Sequence, residues 1–216
     1  MLKTKIKASS INNLTDARYF AAWGVEWLGF NFDEGTENYL SLSDAKAISE
    51  WVDGVQLVGE FSYHELDAIK TAVELLQLDA VQLGPFTPEH YLEALQEEIS
   101  VIQEIIIEPT HTASILLGQL KEAAPYVEHF LLDFAKNKIG WQDLQAGKYF
   151  PSSILSEICE TFSCIISIEI AANSLSELLK VINPTGLSFK GGQEEKIGFK
   201  SFEELDEMFE EIEIFD

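Results

Sequence analysis

The sequence predicts an α/β fold, a single (β/α)8 TIM barrel that occupies residues 1–216. Short, continuously apolar segments alternate with segments in which apolar residues recur at helical spacing, the patterns of buried parallel strands and of amphipathic helices. Eight such pairs can be placed along the chain, and eight is the number that closes a barrel of this kind. A doubly wound sheet is the alternative, but it needs a glycine-rich turn after its first strand, where Ser9 and Ser10 stand.

The predicted strands are short apolar runs bounded by polar or turn residues. The first surrounds Lys5 and Lys7, which alternate with apolar or small residues at a period of two. The others are predicted at residues 27–32, 55–61, 80–83, 100–107, 130–134, 164–170 and 186–189.

The predicted helices have one apolar face, and several have a recognisable start. Asn12 or Asn13 can cap the first helix, and Asp16 lies in its first turn, where the helix dipole favours an anion. An irregular stretch through Gly140 and Trp141 separates the sixth strand from its helix. The helices are predicted near residues 14–21, 43–51, 64–76, 88–97, 112–124, 151–161, 174–182 and 201–211.

The chain is strongly acidic. It carries 37 acidic and 14 basic residues, a formal charge of −23, and Arg18 is its one arginine. Binding to phosphate backbones depends on clustered Lys and Arg, so we expect no nucleic-acid partner. The simplest explanation of the acidic excess is a solvated surface that keeps the protein soluble. The scarcity of arginine also matters for function, because arginine is the residue that most often binds carboxylate or phosphate through two hydrogen bonds.

No segment predicts a membrane span or a secretory leader. No apolar run reaches the roughly 18–20 residues that a spanning helix needs, and the first residues lead into a strand pattern rather than a signal core. We therefore expect a cytoplasmic protein with no membrane partner, either a monomer or a homodimer. Cys159 and Cys164 are expected to be free thiols, and we expect no metal and no cofactor.

Residues 7–17 carry a family resemblance. Read without gaps, the stretch from Lys7 to Ala17 resembles the opening signature of the phosphoribosylanthranilate isomerase family, Lys-Ile-Cys-Gly-Ile-Thr-Asn-Leu-Glu-Asp-Ala. The resemblance covers nearly the whole chain and implies a TIM barrel, a place in tryptophan biosynthesis and a small sugar phosphate or related anion as ligand. It places Ser9 on the family's catalytic cysteine. Lys7, two residues earlier, would point the same way along a strand and is a candidate binding residue.

Three further positions are matched by the resemblance. Asp133 falls on the family's catalytic aspartate, which implies the role of a general acid. Asn38 falls on an arginine that binds a substrate anion in the family. Gln82 lies in a strand similar to the family's Val-Gln-Leu-His-Gly and is a candidate substrate-binding residue.

The eighth unit also matches the family. Residues 186–194 lie without gaps over the pattern Gly-x-Asp-x-Ser-Ser-Gly-Val-Glu, which implies substrate binding by Lys190, Gly191, Gly192 and Glu194. The backbone amides of the glycine pair can receive an anion. The alternative is a turn that only closes the last strand.

Two glycine turns of the family are absent. The loop after Asp133 is shorter than the family's Gly-Gly-Thr-Gly loop, and Ala171 and Ala172 stand near the family's seventh-unit glycines. A Cβ atom obstructs the close approach of a phosphate to backbone amides. We therefore expect a bound anion at Gly191 and Gly192 rather than at the seventh turn.

The family's reaction, an Amadori rearrangement of an aminoaldose phosphate, needs an acid and a base. A thiol can be tuned to ionise near neutral pH, whereas the hydroxyl of Ser9 is several pKa units less acidic and needs a base of its own. One hypothesis is an isomerase with Asp133 as acid and Ser9 or a neighbour as base. The other is a descendant that kept the barrel and lost the reaction, now a binding or regulatory protein or an enzyme with another small substrate. Residue chemistry favours the second.

Ser9 and Asp133, taken alone, are also the kind of polar residues that often end a strand. Their expected meeting at the carboxyl ends of the first and sixth strands, where barrel enzymes build their sites, favours a functional site.

Overall fold

Eight parallel strands form a closed barrel in the order of the chain, which confirms the predicted fold. The structure is a computed structural model that describes residues 1–149, 151–191, 193–196 and 199–214, with only the backbone described at 193–196 and 199–200. The strands are β1 (Lys5–Ser9), β2 (Trp27–Asn31), β3 (Gln56–Phe61), β4 (Ala80–Leu83), β5 (Ser100–Ile106), β6 (His129–Asp133), β7 (Cys164–Ser167) and β8 (Gly186–Lys190).

Helices surround the barrel and connect its strands. They are α1 (Leu14–Ala22), α2 (Leu42–Ser49), α3 (Leu66–Leu76), α4 (Glu89–Leu95), α5 (Ala113–Ala123), α6 (Trp141–Gln145), α7 (Ser152–Thr161), α8 (Leu175–Ile182) and α9 (Glu203–Ile212). No helix in the described part of the chain is long and apolar enough to cross a membrane. Cys159 and Cys164 are both free thiols.

The cap of α1 lies at the second of the two asparagines. The side chain of Asn13 accepts a hydrogen bond from the backbone N–H of Asp16 at 2.9 Å, which satisfies one of the free donors of the first turn. Asn12 instead donates to the side chain of Asn38 at 3.0 Å and so ties the β1–α1 loop to the β2–α2 loop.

The sequence does not predict α6. This short helix begins where Gly140 donates its backbone N–H to the carboxylate of Asp143, at 3.1 Å. The backbone N–H of Trp141 donates to the carbonyl of Glu169 at 2.9 Å. This contact fixes the segment that follows β7. The strand β7 itself ends at Ser167, three residues before the predicted end at residue 170.

An antiparallel hairpin after β8 is also missing from the sequence prediction. It consists of β9 (Gln193–Lys196) and β10 (Phe199–Ser201). Because residues up to Ser201 belong to this hairpin, the last helix begins at Glu203 rather than at residue 201.

The inside of the barrel is apolar toward the amino ends of the strands and polar toward their carboxyl ends. One buried cluster fills the apolar end and consists of Trp27, Val58, Ala80, Ile102, Leu131 and Ile165. Two residues further along β3 to β7 lie the buried polar residues Glu60, Gln82, Glu104, Asp133 and Ser167. Side chains two apart on a strand share a face, so this spacing stacks a polar layer on an apolar one.

Lys7 and Glu60 form an ion pair in the polar layer. The side chain of Lys7 is fully buried and that of Glu60 is 7% exposed, and their ammonium and carboxylate groups are in direct contact. Gly29, on β2 between them, leaves the space that the pair occupies. A Cβ atom at this position would collide with Oε1 of Glu60 and lie 2.9 Å from Nζ of Lys7.

We expect Gly29→Ala to destabilise the protein by about 1–3 kcal/mol, because the added methyl group displaces a carboxylate that is held by fixed partners. Gly118→Ala is the matched control: Gly118 lies inside α5, and an added Cβ would meet no described atom of another element within 4 Å. There alanine should stabilise the helix by about 0.5–1 kcal/mol. Urea unfolding of both variants measures the difference, and equal stabilities would contradict the argument from the ion pair.

Glu60→Gln should cost about 3–5 kcal/mol of unfolding free energy near neutral pH, because it leaves the ammonium group of Lys7 buried without its counter-charge. Glu98→Gln removes the partner of Lys70 from an exposed pair, with side chains 57% and 34% exposed, and should cost less than about 1 kcal/mol. Urea unfolding compares the two variants with wild type. A loss as small for Glu60→Gln as for Glu98→Gln would show that the buried pair contributes little.

The cost of Glu60→Gln should also depend on pH. Burial alone would raise the pKa of Glu60, but the charge of Lys7 and hydrogen bonds from Lys7 and Ser10 outweigh it and hold that pKa below its ordinary value. A lowered carboxyl pKa stabilises the folded state above the unfolded value of about 4.3, and this contribution is lost as the pH falls through the folded pKa. The difference between wild type and Glu60→Gln should therefore shrink on acidification; a constant difference would rule this linkage out.

Candidate active site

A cavity of about 280 Å³ opens at the carboxyl ends of the barrel strands. Ser9, Asp133 and Lys190 are the last residues of β1, β6 and β8, and all three line it. Gln82 of β4 and Asn38 of the β2–α2 loop line it as well. The structure thus brings five of the predicted site residues to one cavity at the expected end of the barrel.

Ser9 is held by two neighbours. Its hydroxyl oxygen accepts a hydrogen bond from Nζ of Lys7 at 2.8 Å and lies 2.7 Å from the hydroxyl of Ser188 on β8. Lys7 itself lies below the cavity, and its ammonium group is shared between Ser9 and Glu60. Among these contacts, the charged group closest to the Ser9 hydroxyl is therefore a hydrogen-bond donor.

Ser10 completes the shell around Glu60. Its φ of 55° places the backbone in the left-handed region, which is uncommon for a residue other than glycine. The backbone N–H and the hydroxyl of Ser10 both donate to Glu60, at 3.1 Å and 2.8 Å to Oε2. The turn after β1 thus supplies donors to a buried carboxylate.

Asp133 and Glu104 share Lys136. Oδ1 of Asp133 accepts the backbone N–H of Lys136 at 2.9 Å, in the 3-10 turn Ala135–Asn137 that follows β6. Nζ of Lys136 donates to Oε1 of Glu104 at 2.5 Å and lies 4.0 Å from Oδ2 of Asp133. A second charged cluster therefore occupies the β5–β6 side of the mouth.

Glu60 and Glu104, two of the three carboxylates in the polar layer, have opposite pKa shifts. Burial raises the pKa of Glu104 above its ordinary value, although Lys136 opposes the shift. For Lys136 burial favours the neutral form, but the charge of Glu104 outweighs it and raises the lysine pKa. Glu60, by contrast, has a lowered pKa because Lys7 and Ser10 both stabilise its charge. Glu104 is thus the more readily protonated of the two.

Asn38 and Gln82 offer neutral amide groups to the cavity. Oδ1 of Asn38 accepts the hydrogen bond from Asn12 that joins the first two loops. Gln82 is 8% exposed, and its Oε1 has no hydrogen-bond partner among the described residues.

The eighth loop is described only in part. Lys190 is exposed, and Gly191 lies against Asp16, because a Cβ atom at residue 191 would collide with Oδ2 of that buried aspartate. The close contact with Asp16 therefore explains the glycine at residue 191 without any role of its amide in anion binding. Gly192 and the side chain of Glu194 lie outside the described residues, so their predicted roles stay predictions.

The seventh turn lines a different hollow. Ala171 and Ala172 border it together with Glu207, Glu210 and Glu211 of α9. The predicted preference of anions for the eighth turn over this one stays a prediction.

Several residues at the mouth of the barrel were not predicted from the sequence. Glu60 and Glu104 each interrupt an apolar strand with a single charged residue, a signal that could have marked them as inward-facing. Lys136, Ser167 and Ser188 carry no such signal, because an isolated lysine or serine is ordinary in a loop or strand. Among the described residues, no group of three or more His, Cys, Asp or Glu side chains could hold a metal ion.

Known proteins resemble this chain along almost its full length. Residues 6–211 match the family described as N-(5'phosphoribosyl)anthranilate (PRA) isomerase. The N-(5'-phosphoribosyl)anthranilate isomerase of Thermotoga maritima is 26% identical over 204 residues, covering 93% of this chain and 94% of that protein.

Solved structures share the fold. A structure described as monomers generated from the dimeric Thermotoga maritima isomerase has a TM-score of 0.75 and 23% identity, covering 97% of this chain and 98% of that one. A phosphoribosyl anthranilate isomerase in complex with reduced 1-(o-carboxyphenylamino)-1-deoxyribulose 5-phosphate gives the same TM-score, 0.75, with 23% identity and the same coverage of 97% and 98%. From the family match over residues 6–211, the chain belongs to the N-(5'-phosphoribosyl)anthranilate isomerase family.

Proposed function

We propose that this chain is a divergent family member whose barrel mouth binds a small polar molecule and which does not carry out the family's rearrangement at an ordinary enzymatic rate. The proposal assigns Ser9 to the position of the family's catalytic cysteine, Asn38 to that of an anion-binding arginine, and Asp133 to that of the general acid, as the resemblance implies.

One observation carries the proposal, the contact between Lys7 and Ser9. A serine hydroxyl acts as a base only after it loses its proton to a neighbouring base. Nζ of Lys7 donates to the hydroxyl at 2.8 Å and is also the ion-pair partner of the Glu60 carboxylate. Lys7 therefore donates a hydrogen bond to Ser9 and is a poor acceptor for its proton.

The charges of the mouth support the same proposal. A substrate with one phosphate and one carboxylate carries about three negative charges at neutral pH. Asn38 offers it a neutral amide where an arginine would make paired charged contacts. Several of the residues that line the cavity are themselves carboxylates, Asp33, Glu37, Glu60, Glu104 and Asp133. Such a lining repels an anion that must enter it.

An active isomerase is the second candidate, and Glu104 is the observation that favours it. Glu104 is buried in the same cavity as Asp133, and burial raises its pKa toward the range in which a carboxyl group can exchange protons. In this alternative Asp133 acts as the acid and Glu104, rather than Ser9, acts as the base.

The assembly and location of the protein follow the family in this proposal. The related Thermotoga maritima enzyme is described as dimeric, and we propose a cytoplasmic monomer or homodimer here, with no bound cofactor or metal.

We expect wild type to show little isomerase activity and Ser9→Cys alone not to restore an ordinary rate. A thiol supplies a tunable base, and general-base catalysis is worth about 10²–10⁴-fold. The substrate would still be poorly held, since each missing charge-assisted contact costs about 1.5–3 kcal/mol. The measurement is kcat/KM for wild type, Ser9→Cys, and Ser9→Cys with Asn38→Arg. An ordinary wild-type rate would overturn the proposal, and a single variant equal to the double would contradict the argument from anion binding.

The second candidate makes its own prediction. If wild type turns over the substrate, Glu104→Gln should lower kcat about 10²-fold or more, the contribution of a positioned base, while Ser9→Ala should change it little. The reverse order of effects in the same kinetic assay would exclude Glu104 as the base.

A further inference from the structure

The mouth of the barrel holds more carboxylates than cations. Among the described lining residues, the five carboxylates named above face two lysines, Lys136 and Lys190. Lys7 pairs with Glu60 from below, and Lys136 pairs with Glu104. Lys136 also lies 4.0 Å from Asp133, and Nδ1 of His64 lies 3.3 Å from Asp33. The five carboxylates still outnumber the three lysines Lys7, Lys136 and Lys190, so the field inside the cavity favours a cation.

Asp133 has an oxygen that is available to a ligand. Its Oδ1 accepts the backbone N–H of Lys136 at 2.9 Å, but its Oδ2 lies 4.0 Å from Nζ of the same lysine, beyond hydrogen-bond distance. The carboxylate is therefore anchored through one oxygen, while the other can receive a donor from the cavity.

Gln82 independently indicates a missing donor. Its side chain is more than nine-tenths buried and lines the same cavity, and Oε1 has no hydrogen-bond partner in the described part of the chain. A buried carbonyl oxygen without a donor is costly, and native proteins rarely leave one unpaired. A ligand hydroxyl or ammonium group in the cavity would satisfy it.

The size of the cavity limits the ligand. Its volume of about 280 Å³ lies just below the range of about 300–1,000 Å³ for small-molecule sites. A molecule the size of one monosaccharide fits this space.

We propose that the mouth binds a small cationic polyol, a primary amine with several hydroxyl groups, whose ammonium group lies beside Oδ2 of Asp133 and one of whose hydroxyls donates to Oε1 of Gln82. The proposal rests on the proposed function, because it requires that the site no longer favours the family's anionic substrate. An ammonium group has three donors and no acceptor, which complements a lining of carboxylate and amide oxygens. A phosphate group has the opposite charge and supplies mainly acceptors.

Three probes with one carbon skeleton test the ligand class: glucamine, sorbitol and sorbitol phosphate. Titration calorimetry at neutral pH and low salt should give one site per chain, with glucamine bound about tenfold or more tighter than sorbitol, the size of one charge-assisted hydrogen bond. Sorbitol phosphate should bind most weakly. Equal or tighter binding of the phosphate, equal binding of glucamine and sorbitol, or no binding of glucamine would each overturn the proposal.

Variants assign the contacts. Asp133→Asn should reduce glucamine affinity about tenfold and change sorbitol affinity little, while Gln82→Met should weaken both probes. Glu98→Gln also removes one carboxylate, but from an exposed pair in the α4–β5 connection at the other end of the barrel, and should leave both affinities unchanged. Circular dichroism and urea unfolding check that each variant is folded. An equal loss in Glu98→Gln and Asp133→Asn would show that the amine is attracted only by the overall charge of the protein.

The isomerase assay separates the two proposals. Ordinary turnover of phosphoribosylanthranilate by wild type overturns the proposed function and with it the cation site. Absent turnover together with preferential binding of sorbitol phosphate overturns the cation site alone.

Discussion

The contact between Lys7 and Glu60 is the constraint on which the polar half of the barrel depends. Both side chains are buried inside the barrel, and leaving either charge there without the other is strongly destabilising. Residue 29 is a glycine, and the absence of a side chain there leaves room for the pair. Ser10 has a left-handed backbone conformation, in which its N–H donates to the Glu60 carboxylate. Three neighbouring strands and the first loop are therefore adapted to one ion pair.

The same contact decides what Ser9 can do. The ammonium group that pairs with Glu60 also donates to the Ser9 hydroxyl, so one lysine serves both the buried ion pair and the end of β1. In the proposed function, Ser9 would need a base, and its charged neighbour is a lysine that already pairs with Glu60. The hydrogen bonding of Ser9 at the mouth is thus set by the ion pair buried beneath it.

The opposite side of the mouth is organised differently. Glu104 is buried with a raised pKa, and Lys136, which neutralises it, reaches in from the loop after β6 and is partly exposed. Asp133 lies next to this pair and keeps one oxygen toward the cavity. Together with the unpaired amide oxygen of Gln82, this side presents acceptors. This acceptor-rich lining is the basis of the proposed donor-rich ligand.

The sequence by itself determined the barrel, because period-two and helical patterns are local and eight repeats of them close only one common fold. It also placed Ser9 and Asp133 at one end of the barrel, since the carboxyl ends of parallel strands lie together, and the family resemblance added Asn38, Gln82 and Lys190. Only the tertiary structure decided that Lys7 pairs with Glu60, that Lys136 joins Glu104 to Asp133, and that Gly191 packs on Asp16. These contacts join residues from different strands and loops, and the strand register and barrel closure that bring them together are not contained in any local pattern.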